Sequence, residues 1–167
     1  QYGRQLMEFL RRRWEADFFG VDIDIEALMY GRSVEPSISF IGGDIQGKLP
    51  FRDDVFDAIV CVGVLHFMRE GADKAVQELA RVLKPGGLLF ATQAFAKNRF
   101  VSGLAYLAWR LAPKIGRLYS RAQMEEILRK SGFERIIMDR AFSIPLMLGD
   151  VYLFTAFLGE GYSNQFF

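Results

Sequence analysis

Asp44-Ile45-Gln46-Gly47-Lys48-Leu49-Pro50-Phe51 follows the apolar run Ser39-Phe40-Ile41 and precedes another, Ala58-Ile59-Val60-Cys61-Val62. Two short apolar runs separated by an acid and a Leu-Pro-Phe turn read as successive strands of an α/β sheet. In such sheets ligands bind in the crevice at the carboxyl ends of parallel strands. A carboxylate there is costly unless it faces water or accepts hydrogen bonds. Asp44 is therefore placed to receive a polar group, such as the amine of a base. The Pro50-Phe51 turn sends the chain back under the sheet.

Working outward, helices and strands alternate. Leu6, Leu10 and Trp14 recur at helical spacing with Met7 beside them, which predicts an amphipathic helix over residues 4–15. Phe18–Val21 reads as a buried strand ending at Asp22, and Asp24 caps a helix through Tyr30, with Glu26 in its first turn. Strands are expected at 37–41 and 55–62. A helix is expected over 72–83, with Ala72, Val76, Leu79, Ala80 and Leu83 on one face and Lys84-Pro85-Gly86-Gly87 stopping it. A strand at 88–92, a helix from Ser120 or Arg121 to Lys130, and strands at 133–139 and 151–158 complete the pattern. The alternation predicts a mostly parallel sheet with helices on both faces. Without internal repeats or a linker, residues 1–167 read as one domain.

Composition narrows the function. With 51% hydrophobic residues the chain is not a disordered one. A net charge of +1 gives no long-range field, which argues against nucleic acid as a partner. Arg11-Arg12-Arg13 reads as the solvated face of a helix. One cysteine and one histidine leave no basis for an internal disulfide, a multi-cysteine metal site or a His-based one. The apolar stretches 101–112 and 144–158 are too short or too interrupted, by Arg110, Pro145 and Asp150, to span a membrane.

The alternation begins with a helix where a nucleotide-binding sheet begins with a strand and a glycine-rich turn. Gly3 fits the last glycine of such a turn, and Asp22 stands at the spacing expected of a ribose-binding acid. The first strand is thus expected upstream of Gln1, outside this chain.

These motifs resemble the class I S-adenosylmethionine-dependent methyltransferases of the small-molecule type. Gly20-Val21-Asp22-Ile23-Asp24 is similar to that family's second-strand motif, and Gly43-Asp44-Ile45 with Leu49-Pro50-Phe51 to its adenine-binding motif. Phe56–Val62 with Val64-Leu65-His66 resembles its fourth strand and exit loop, and Leu83-Lys84-Pro85-Gly86-Gly87 the turn into its fifth strand. From about residue 96 the likeness is only architectural. The resemblance implies a Rossmann-like fold with an antiparallel last strand, S-adenosylmethionine as the methyl donor, and a set of contacts. Gly3 approaches the methionine part. Asp22 takes the ribose hydroxyls with Ile23 against the adenine, and Asp44 accepts from the adenine amine with Ile45 beside the ring. Cys61 and Val62 face the methionine end through backbone atoms. The first two glycines of the family's turn and the acid of its first strand are absent, which puts cofactor binding by this stretch alone in doubt.

In-line methyl transfer asks chiefly for alignment and exclusion of water. A general base is needed only where the acceptor loses a proton, and His66, in the loop after the fourth strand, has the chemistry for it. The competing reading is that His66 packs or caps the next helix. Residues 96–119 read as a substrate lid. They hold Phe100, Tyr106 and Trp109 among other apolar residues, with Lys97, Arg99, Arg110, Lys114 and Arg117 and no acid. The expected acceptor is therefore small and apolar or aromatic, a lipid-like one included, and the segment also suits peripheral contact with a membrane surface. A plain helical cap over the sheet fits the same residues. The expected setting is cytoplasmic, extending to the membrane surface. Two other classes stay open: a non-catalytic methyltransferase-like binding module, and a nicotinamide-dependent dehydrogenase, in which Asp22 has a role but Asp44 with Leu49-Pro50-Phe51 has none.

Overall fold

The computed structural model describes residues 16–65, 68, 71–96, 119–144 and 149–159. The chain divides into two compact units, Gln1–Pro50 and Phe51–Phe167. The helix expected over residues 4–15 lies outside the described residues.

The first unit is a β-α-β crossover. Strand β1 (Phe19–Asp22) pairs in parallel with β2 (Ser39–Gly42), with Phe19 opposite Ser39 and Asp22 opposite Gly42. Helix α1 (Ile25–Val34) connects them. Asp24 caps α1 as the sequence predicts, its carboxylate accepting the Glu26 amide at 2.9 Å. The helix runs on past Tyr30 to Val34, because Gly31 packs rather than stops it. A Cβ on Gly31 would stand 2.6 Å from the Phe40 ring, and a Cβ on Gly20 also 2.6 Å from it. The ring of Phe40 thus lies between two glycines, one on α1 and one on β1, and the helix settles close onto the sheet. Among the described residues of this unit, Leu28, Ile38 and Leu49 are the buried apolar ones.

The second unit is a four-stranded sheet in the order β3-β4-β6-β5, built from β3 (Phe56–Cys61), β4 (Leu83–Ala96), β5 (Phe133–Ile144) and β6 (Gly149–Leu158). β3 and β4 are parallel, and β6 runs antiparallel to both β4 and β5. Three strands therefore point one way and the last is reversed, the mostly parallel Rossmann-like arrangement expected. Helix α2 (Ala72–Val82) buries Ala72, Ala75, Val76, Leu79, Ala80 and Val82, and Leu83 just past its end is buried too. Helix α3 (Arg121–Lys130) starts with a reciprocal capping box: Ser120 Oγ accepts the Gln123 amide, and Gln123 Oε1 accepts the Ser120 amide at 2.9 Å. It ends at Gly132, whose φ of 93° suits glycine.

Two boundaries differ from expectation. β4 begins at Leu83, five residues before Leu88. Leu83 pairs with Phe56 and Leu88 with Ala58, so Lys84–Gly87 bulge out of a ladder that continues on either side. The Lys84 ammonium reaches Asp57 across this bulge at 2.8 Å, in keeping with a structural role for Asp57. β5 continues five residues past Asp139, because its antiparallel pairing with β6 persists to Ile144 opposite Gly149. At the other end of the sheet, the amides of Asp54 and Val55 donate to the carbonyls of Arg81 and Val82, tying the turn before β3 to the end of α2. Arg81 strengthens this tie by donating to Glu78, Asp53 and the Phe51 carbonyl.

The Phe40 sandwich makes a prediction opposite in sign to helix propensity. Gly31→Ala in a helix would ordinarily stabilise by up to about 1 kcal/mol. Here the added methyl presses the ring toward Gly20, and a loss of about 1–3 kcal/mol is expected in a denaturant titration.

Candidate functional site

Asp22 and Asp44 leave from the carboxyl ends of the two paired strands of the first unit. The Gly43 amide donates to the Asp22 carbonyl at 3.0 Å, continuing the β1–β2 ladder one residue past Gly42. Both acids therefore lie at one edge of one parallel pair. Each carboxylate is held by a local backbone amide: Asp22 Oδ1 accepts from Asp24 at 3.0 Å, and Asp44 Oδ1 accepts from Gln46 at 2.8 Å. These Asx turns fix the side chains at the strand ends, and both residues are exposed. Each second oxygen is left to accept from a ligand. Ile23, beside Asp22, is 71% exposed although it is a large apolar residue, and Ile45, beside Asp44, is half-buried. Acceptors flanked by apolar surface match a nucleoside, whose hydroxyls and amine donate and whose base has two apolar faces. On this observation the residues of the first unit fit the adenosine part of S-adenosylmethionine.

In the second unit, β3 ends in Cys61, which is buried, and Val62, which is 38% exposed. The Cys61 side chain belongs to the core, so what it offers a ligand is its main chain. Burial pushes its thiol up to about 12. After Val62 the chain turns through Gly63, whose φ of 74° suits glycine. The Gly63 amide donates to the Thr92 hydroxyl, in the last third of β4, at 2.9 Å. Thr92 thereby anchors the loop leaving β3. Sequence reasoning passed it over as a residue of an apolar strand, though a hydroxyl at a strand end was the available signal. Gly3, His66 and the 97–118 part of the expected lid lie outside the described residues. Among the described residues no helix is long and apolar enough to cross a membrane.

A family model described as "Methyltransferase domain" matches residues 2–91, more than half of the chain. The chain belongs to this family. The matched range spans both units and includes the four motifs at 20–24, 43–51, 56–66 and 83–87. Among curated relatives, a probable tRNA methyltransferase 9B of Mus musculus is 54% identical over 56 residues, 31% of this chain and 12% of the relative. A demethylmenaquinone methyltransferase of Chlorobaculum tepidum is 27% identical over 135 residues, 74% of this chain and 54% of the relative. The chain thus spans about half the length of the second and far less of the first. A solved S-adenosylmethionine-dependent methyltransferase from Mesorhizobium loti superposes with a TM-score of 0.71 at 16% identity, covering 91% of this chain and 85% of that one. At that identity the likeness is one of fold.

The raised thiol makes a prediction. The shift from the ordinary 9.0 to about 12 lowers the Cys61 thiolate fraction about a thousandfold at pH 8. Iodoacetamide is expected to leave the native protein unlabelled at Cys61 and to label it on unfolding. Above pH 9 the unfolded chain loses this proton while the native one keeps it. The Cys61 contribution to stability therefore falls as pH rises from 9 to 12, and a Cys61→Ala variant is expected to lose that component of the pH dependence.

Proposed function

We propose that the protein transfers the methyl group of S-adenosylmethionine to a small apolar or aromatic acceptor, the aromatic one being favoured, and that residues 1–167 act as one methyltransferase domain. The observation that carries the donor side is the placement of Asp22 and Asp44 at one carboxyl edge with exposed Ile23 beside them. Asp22 accepts from the ribose hydroxyls and Asp44 from the adenine amine, with Ile23 against the adenine and Ile45 beside the ring. The likeness of 56–66 to the family's fourth strand and exit loop supports main-chain contacts from Cys61 and Val62 to the methionine part. The bound donor supplies a methyl activated by its sulfonium. The protein's part is to align that methyl with the acceptor and exclude water. His66 is the candidate base where the acceptor must lose a proton.

For the acceptor, support comes from the relative that acts on demethylmenaquinone, an alignment reaching over 74% of this chain, and from the aromatic residues of 96–119. A basic aromatic segment of this kind also suits an acceptor drawn from a membrane surface. A second reading, a tRNA acceptor, is favoured by the 54% identity over 56 residues. The net charge of +1 weighs against it, since nucleic-acid binding rests on neutralising phosphates.

Calorimetric titration of the full-length protein tests the donor side. S-adenosylmethionine is expected to bind and NAD not to. Asp22→Asn, which keeps the Asx turn but loses the charge, is expected to weaken binding about tenfold or more. Binding of NAD alone would make the dehydrogenase reading the correct one, and binding of neither the non-catalytic one. Methyl transfer assayed in parallel on a quinol and on unmodified tRNA separates the two acceptors.

A further inference from the structure

Gln93 is the buried polar side chain among the described residues, with no exposed surface. Its Nε2 donates to the Ala94 carbonyl at 3.2 Å. Its Oε1 has no hydrogen-bond partner. The orientation of the amide follows from this contact, because only the NH2 end can face a carbonyl. The unfilled position is therefore an acceptor, and what is missing is a donor. A buried carbonyl without a partner bears its full desolvation cost and calls for an explanation.

Its place in the fold supplies one. β3 and β4 are paired with Cys61 opposite Ala91, so Gln93 stands two residues further along β4, just beyond the carboxyl end of β3. Alternation along β4 puts Gln93 and Phe95 on one face and Thr92, which holds the Gly63 amide, on the other. Across the ladder Gln93 is opposite Tyr152 of β6. The Phe95 and Tyr152 rings meet edge to face with centroids 5.3 Å apart. The Arg121 guanidinium, at the start of α3, lies 5.9 Å from the centroid of the Tyr152 ring. One unfilled acceptor, two aromatic rings and a cation thus gather just beyond the carboxyl end of β3.

We propose that this cluster recognises the methyl acceptor: Gln93 Oε1 takes a hydrogen bond from a ring hydroxyl, and the half-buried Tyr152 ring, backed by buried Phe95, receives the ring that bears it. The ligand class is a phenol or hydroquinone fused or substituted with apolar groups. The proposal rests on the aromatic-acceptor reading above and deepens it. Gln93 contributes binding and specificity; the group that moves a proton lies elsewhere. An apolar side chain at 93 would satisfy the core equally well but would not tell a hydroxylated ring from its ether. Gln93 makes that distinction, since a ligand without the O–H leaves the carbonyl as it found it.

The test uses the full-length protein saturated with S-adenosylhomocysteine, with 1-naphthol and 1-methoxynaphthalene as fluorescent probes. The wild type is expected to bind the naphthol about 10–100-fold more tightly than the ether, the range set by satisfying one buried acceptor. Gln93→Met, of similar size and without the carbonyl, is expected to bind the two equally, with S-adenosylhomocysteine affinity and thermal midpoint not lowered. Gln93→Leu serves the same comparison should the methionine variant misfold, and the wild-type ratio needs no variant. Equal affinities in the wild type, or full discrimination surviving in the variants, would overturn the proposal while leaving the donor site standing. Failure of S-adenosylhomocysteine to bind would overturn the donor reading and this one with it.

Discussion

The hydrogen bond from the Gly43 amide to the Asp22 carbonyl, at 3.0 Å, sets the register on which the candidate site depends. It extends the parallel ladder past Gly42 and delivers the two acids to one edge of one sheet. In a strand a slip of one residue turns every side chain to the opposite face. A slip here would carry Asp44 away from Asp22 and bring the Phe40 ring out from between Gly20 and Gly31. Core packing and site geometry in this unit are therefore one constraint. The Asx turns at Asp22 and Asp44 add a local lock, because each carboxylate is tied to an amide two residues on. The same bonds leave one oxygen of each acid for a ligand.

In the second unit β4 has a comparable double duty. Its even and odd residues serve different faces: Thr92 anchors the exit loop of β3, while Gln93 and Phe95 lie with Tyr152 on the other side. The reversed strand β6 is what brings Tyr152 there, and the early start of β4 at Leu83 lengthens the ladder that holds β3 in register. Fully buried Phe154, Ala156, Leu89 and Ala91 make the apolar floor of this sheet. A polar amide set at the end of that floor is costly for stability and gives the end of the strand a chemical preference.

The helix signals were local and therefore legible: the Asp24 and Ser120 caps, the apolar face of α2 and the glycine stop after α3 all lie where sequence rules place them. The acids at the strand ends were legible for a similar reason, since a charged residue closing an apolar run has few structural uses. Strand lengths were not. β4 crosses a Lys-Pro-Gly-Gly stretch that reads as a stop, and β5 crosses Arg140 with a register shift, because a partner strand supplies hydrogen bonds that the sequence of one strand does not display. The extension of α1 past Tyr30 was not legible because the role of Gly31 depends on Phe40, nine residues away. Gln93 and Thr92 were missed because their roles are set by what lies across the sheet. Gly3, His66 and most of the expected lid lie outside the described residues.

The most direct measurement is the carboxyl 13C spectrum of the full-length protein, with the Asp22, Asp44 and Asp24 side chains assigned, during titration with S-adenosylhomocysteine. Gripping one adenosine from both strand ends predicts that the Asp22 and Asp44 carboxyl resonances move together and saturate at the same ligand concentration, while that of Asp24, engaged in capping α1, stays in place. Movement of only one of the two acids, or of Asp24 in their stead, would contradict a shared nucleoside site at this edge.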